Sequence, residues 1–115
     1  MSEQQQSAQE VPPLYWLVQV ERHEFLQRVL EGNRLFCFFT AEANALDFRI
    51  NHRLGQDWAV RASNNAEYLL KMLDAASPGF DLYVIDPPTI RGALTHTHTL
   101  EEMKDEIQRR AAPTL

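Results

Sequence analysis

The stretch Glu21-Arg22-His23-Glu24-Phe25-Leu26-Gln27-Arg28-Val29-Leu30-Glu31-Gly32 decides how the chain is read, because it links two apolar runs. Phe25, Leu26, Val29 and Leu30 fall at helical spacing, and Gly32 supplies the left-handed residue that commonly ends a helix. Read this way the stretch is a helix, and a helix between two strands lets both run in the same direction.

The runs on either side suit strands. Leu14-Tyr15-Trp16-Leu17-Val18-Gln19-Val20 is aromatic and β-branched, and too short for a helix. Arg34 to Phe39 is nearly continuous in apolar residues, as in a strand covered on both faces. Thr40 then stands where a helix needs its N-cap, and Glu42 falls in the first turn, where the helix dipole favours negative charge. The helix expected from Ala41 to about Arg53 carries Ala43, Leu46 and Ile50 on one side, with Phe48 at the margin.

Further on, Trp58-Ala59-Val60-Arg61-Ala62 reads as a short outer strand, and Asn64 or Asn65 caps a third helix. That helix turns Ala66, Leu69, Leu70, Leu73 and Ala76 inward and stops at Ser77-Pro78-Gly79. A fourth strand spans Asp81 to Asp86, ended by Pro87-Pro88 because proline cannot donate to a ladder. The expected fold class is α/β: a small, mainly parallel sheet of four to five strands with helices packed on its faces.

Residues 1 to 13 are polar, glutamine-rich and closed by Pro12-Pro13, so they are expected to form a disordered tail, with a single domain over 14 to 115. A net charge of -5 disfavours a phosphate backbone as partner. The single cysteine, Cys37, lies in an apolar run, which predicts a buried thiol and a reducing cytoplasm. No run of apolar residues is long enough for a membrane span.

Near the C-terminus, Thr95-His96-Thr97-His98-Thr99-Leu100-Glu101-Glu102-Met103 has two readings. Thr99 and Glu102 have the spacing of a capping box, and Leu100, Met103, Ile107 and Ala111 make an apolar stripe beyond it. Acids early and Arg109 and Arg110 late match the helix dipole. In an extended backbone His96 and His98 share a face and become candidate metal ligands. A catalytic zinc takes three protein ligands, and Asp86, His52 or Cys37 would have to complete the set at no recognisable spacing. A Thr/His edge strand is the simpler reading, and no cofactor is expected.

In a parallel sheet, ligands collect at the carboxyl ends of the strands, here Glu21, Thr40, Asn64 and Asp86. Arg49 and Arg53, one helical turn apart and near Arg61, form the basic region where an anion or an acidic partner would dock. The glycines are isolated, so no phosphate loop exists, and no Ser or Cys nucleophile has a placed base.

The segments Phe38-Phe39-Thr40-Ala41-Glu42, Trp58-Ala59-Val60, Leu69-Leu70-Lys71-Met72-Leu73 and Gly79-Phe80-Asp81-Leu82-Tyr83-Val84-Ile85-Asp86-Pro87 together resemble the N-terminal domain of the SseB-like family over residues 34 to 88. The resemblance implies a small α/β binding or accessory domain of a bacterial cytoplasm, with no catalytic residues to carry over. The expected function is a non-enzymatic protein-interaction module, acting as a homodimer or on a protein partner, without nucleic acid or membrane. The alternatives are a metal-assisted hydrolase using His96 and His98, and an acidic inhibitor presenting the cluster from Glu101 to Glu106.

Overall fold

A computed structural model describes residues 10–87 and 96–111. In chain order the elements are β1 (Glu10–Gln19), β2 (Glu24–Phe25), β3 (Gln27–Leu30), β4 (Asn33–Phe38), α1 (Glu42–Asn51), β5 (Trp58–Asn65), α2 (Ala66–Ala76), a short 3₁₀ turn (Ser77–Gly79), β6 (Leu82–Ile85), β7 (Thr97–His98) and α3 (Leu100–Ala111). The tail expected over residues 1 to 13 lies outside the described residues up to residue 9, and β1 begins at Glu10 with Val11 buried. Pro88 and Thr95 also lie outside them.

The expectation of a mainly parallel sheet is overturned. Among the described residues the strands form two sheets, ordered β2-β1-β5 and β3-β4-β6-β7, and only the β4–β6 pair is parallel. The cause is the stretch from Glu21 to Gly32, which forms a turn and two short strands instead of a helix. Leu30 pairs with Asn33, leaving Glu31 and Gly32 as a two-residue loop with φ of 51° and 83°. Positive φ at both loop positions is the type I′ geometry whose twist matches a hairpin. A helix would have had to bury Phe25, Leu26, Val29 and Leu30 together, whereas only Leu26 is buried and Val29 is 68 % exposed.

The two sheets are joined where Tyr15 N–H donates to the Phe39 carbonyl and Phe39 N–H to the Tyr15 carbonyl, both at 2.8 Å. Alternation along β4 then builds a core on each face. Phe36, Phe38 and Tyr83 pack with Leu14, Trp16, Leu69, Leu73, Met103 and Ile107 under α2 and α3. Cys37, Phe39 and Val84 pack with Leu17, Leu26, Ala45 and Phe48 under α1. This double cover explains why the run from Leu35 to Phe39 is apolar at every position.

The inward face of α1 differs from expectation. Ala45 and Phe48 are buried, while Ala43 and Ile50 face solvent. The Phe48 ring meets Phe39 edge-on at 5.4 Å and buries more apolar area than Ile50 could. In α2 the cap is Asn65, whose side chain accepts from Tyr68 N–H at 2.9 Å, and Met72 is buried where Leu70 is only half-buried.

The expected entrance to α3 is present. Thr99 N–H donates to Glu102 Oε1 at 2.8 Å, and Glu102 N–H donates to Thr99 Oγ1 at 3.2 Å. Met103 and Ile107 form the buried stripe, and β7 pairs antiparallel with β6 as the edge strand. No helix among the described residues is long and apolar enough to cross a membrane.

Candidate functional site

Of the residues expected at strand ends, the fold brings Thr40 and Asp86 together. Asp86 Oδ1 accepts from Thr40 N–H at 2.9 Å and from Asn44 Nδ2 at 3.2 Å, and Oδ2 accepts from Thr40 Oγ1 at 2.6 Å. Asp86 N–H in turn donates to the Phe38 carbonyl at 2.7 Å. Thr40 therefore does not cap α1, whose N-cap is Ala41 without a side-chain bond. With its oxygens turned onto Thr40 and Asn44, Asp86 ties the end of β4 to the end of β6.

Glu21 and Asn64 do not join them. In the antiparallel β1–β5 pair Gln19 lies opposite Trp58 and Glu10 opposite Asn65, which sends Glu21 and Asn64 to opposite ends. Arg49 Nη1 donates to the Trp58 carbonyl at 3.2 Å, fastening α1 to β5. Arg53 follows α1 as an exposed residue with φ of 56°.

His96 and His98 share a side of the chain, their rings edge-to-face at 4.8 Å. Glu106 is near enough to His98 to feel its charge, but a hydrogen bond from Arg110 at 2.9 Å holds its carboxyl below the usual range first of all, and Arg109 also bonds it. Among the described residues no group of three His, Cys, Asp or Glu side chains is placed to hold a metal ion.

A cavity of about 100 Å³ beside α1 is lined by Cys37, Phe48, His52 and Val84. Burial pushes the Cys37 thiol up to about 12, so it is held protonated and unreactive. His52 lies on Phe48, ring centroids 3.9 Å apart, with Nε2 enclosed and without a hydrogen-bond partner among the described residues. Its burial, and then the nearby Arg28, lower its basicity.

β5 is the outer strand expected from the sequence, but it runs to Asn65, beyond the expected end at Ala62, and the length of the edge it presents is the feature that sequence reasoning missed. Tyr15 turns its backbone groups to Phe39, and Leu17 gives its carbonyl to Leu26 N–H at 3.0 Å, so the even-numbered residues of β1 carry the ladder to β5. Because Trp16 pairs with Arg61 and Val18 with Ala59, the odd-numbered residues of β5 complete that ladder. Trp58, Val60 and Ala62 consequently turn their backbone groups outward, toward an edge on which no strand lies among the described residues. Arg49 takes the Trp58 carbonyl, leaving the peptide groups of Val60 and Ala62 presented.

Beside this edge a groove of about 260 Å³ crosses the sheet, lined by Trp16, Val18, Phe25, Arg61 and Tyr68, with Val20, His23 and Ala62 completing it. Tyr68, on the first turn of α2, is exposed and stacks on Trp16 at 6.5 Å. The signal available in the sequence was Tyr68 itself, an aromatic residue one position off the apolar stripe of its helix.

Compared with known proteins, the sequence matches no family model, and no curated protein matches it significantly.

Proposed function

We propose that the protein is a non-enzymatic interaction module that takes an extended segment of a protein partner as an added strand along β5. The observation that carries this reading is the length of the open edge: β5 has 8 residues, whereas the other edge strands β2, β3 and β7 have 2, 4 and 2. Short edges are protected against pairing, and a long one offers backbone donors and acceptors to another chain. The resemblance to the SseB-like domain, with its implied accessory role in a bacterial cytoplasm, agrees with such an assignment.

Proline at position 62 removes one outward N–H while sparing the ladder to β1, which uses the odd-numbered residues. In the native host, a photo-crosslinker at Val60 is expected to capture a discrete partner, and Ala62→Pro in the same chain is expected to abolish that capture while circular dichroism stays unchanged. Equal capture by a folded Ala62→Pro protein, or capture no better than from a crosslinker at Glu67 on α2, sinks the proposal.

A further inference from the structure

Resting on the reading of β5 as a docking edge, we infer that the segment bound there carries an acidic side chain opposite Arg61, with apolar side chains flanking it on the groove face. Arg61 points to the same face of the sheet as its cross-strand partner Trp16, and it lies where the groove meets the open edge. It is exposed and forms no ion pair among the described residues. The groove lining contains no carboxylate, and its other titratable side chains are His23 and Tyr68. This is a locally cationic, aromatic surface on a chain whose net charge is -5.

Directly opposite residues on neighbouring strands bring their side chains within contact, and opposite charges there are favourable while like charges are not. A carboxylate facing Arg61 satisfies the guanidinium. The side chains two residues away on that strand point to the same face, the one on which Trp16 and Tyr68 lie beside Arg61. A second copy of this chain does not meet the requirement. Antiparallel self-pairing that matches outward peptide groups sets Arg61 against Arg61 when centred there, or against Ser63 when centred on Ala62. The strand Trp58-Ala59-Val60-Arg61-Ala62-Ser63-Asn64-Asn65 contains no acid at all.

The test is selection of a random linear peptide library on the full chain, followed by anisotropy of the enriched peptide with wild type, Arg61→Glu and Ala62→Pro. An enriched Asp or Glu at one fixed position with apolar residues two away is expected. Its affinity should fall with added salt, drop roughly tenfold in Arg61→Glu, and vanish in Ala62→Pro. Reselection on Arg61→Glu should favour Lys or Arg at the fixed position. An acid-free peptide that is nevertheless lost in Ala62→Pro overturns the acidic assignment and leaves the edge reading standing. Binding untouched by Ala62→Pro overturns the edge reading itself. A dimer in light scattering that Ala62→Pro dissociates assigns the edge to a second copy, and failure to enrich any peptide also counts against the inference.

Discussion

Asp81 grips Arg34 at the start of the parallel β4–β6 pair. Its Oδ2 accepts from the Arg34 backbone N–H at 2.7 Å and from Nε at 3.2 Å, Oδ1 accepts from Nη2 at 3.2 Å, and Asp81 N–H donates to the Arg34 carbonyl at 2.8 Å. Asp86 does the corresponding work at the far end of β6 through Thr40 and Phe38. The two acids that flank Leu82-Tyr83-Val84-Ile85 thus act as clamps, fixing β6 in register on β4. A parallel pair has no tight turn to set its register, so side chains at its ends do so.

The Arg34 guanidinium beside Asp81 holds its carboxyl below the usual range. The unfolded chain takes up this proton near pH 4, before the folded protein does. The pair's contribution is therefore complete above about pH 4 and is lost as pH falls through the lower, folded value. Asp81→Asn should lower the urea midpoint at pH 7 and flatten its decline below pH 4. Both side chains are partly solvated, so the effect is a modest one. An unchanged midpoint in Asp81→Asn would show that the clamp contributes nothing.

At the entrance to α3 the expected loss is larger and local. Thr99→Ala removes one of the two reciprocal bonds with Glu102 and should cost about 1 kcal/mol in urea unfolding. Adding Glu102→Ala should then cost less than it does alone, because the two residues cap as a unit. Strict additivity of the two losses contradicts a coupled cap.

That contrast shows where the sequence was legible. The capping box lies within four consecutive residues, so spacing alone reveals it; local reading likewise narrows the α2 cap to Asn64 or Asn65, of which Asn65 is the cap, and marks the apolar run of β4. Thr40 has the same local credentials, yet its hydroxyl goes to Asp86, a residue far along the chain that spacing cannot nominate. The stretch from Phe25 to Leu30 has two readings in the sequence because its apolar pairs satisfy a helical stripe as well as a hairpin. The deciding fact was Gly32 directly preceding another strand, which leaves room for a two-residue loop and no more. Once that reversal is missed, β1 is taken to run parallel to β4 and β5 when it runs antiparallel to both, and the strand ends carrying Glu21 and Asn64 are drawn together in error. The outer position of β5 is legible in its short, polar-bounded run, but its extension to Asn65 is not: Ser63-Asn64-Asn65 is strand only because it pairs with β1, a property absent from the segment itself.

His52 supplies a pH dependence on the other side of neutrality. Its enclosed Nε2 and the nearby Arg28 disfavour the imidazolium in the folded protein, so its folded value lies below its unfolded one. The unfolded chain then binds the extra proton first, and stability falls as pH drops below about 6.5. His52→Phe, which keeps an aromatic ring against Phe48, should flatten thermal stability between pH 7 and pH 5 relative to wild type. If the two profiles stay parallel, His52 is not the group responsible.

Cys37 should be silent toward thiol reagents in the native state. It is buried in the cluster that contains Phe39, Val84 and, from α1, Ala45 and Phe48, and burial keeps it as the thiol at any ordinary pH. With an aromatic disulfide reagent at pH 8, colour should appear only at the rate at which the protein unfolds, and should rise to one equivalent in urea. Fast labelling without denaturant would mean that the cavity beside His52 opens readily.

The hairpin loop offers the sharpest check on the corrected fold. Glu31 adopts a φ of 51°, a region that β-carbon sterics penalise in all residues except glycine and, to a lesser degree, asparagine and aspartate. Glu31→Asn creates the Asn-Gly pair favoured in type I′ loops and should raise stability by on the order of a few tenths of a kcal/mol. Gly32→Ala meets no neighbour within 4 Å, so any loss there is purely conformational, at φ of 83°, and should be about 1 kcal/mol. Under the helical reading of Glu21 to Gly32 the first substitution would be unfavourable, since asparagine is a poorer helix former than glutamate. Chemical denaturation of the two variants therefore separates the structures: a gain at position 31 with a loss at position 32 belongs to the hairpin, and a loss at position 31 belongs to the helix.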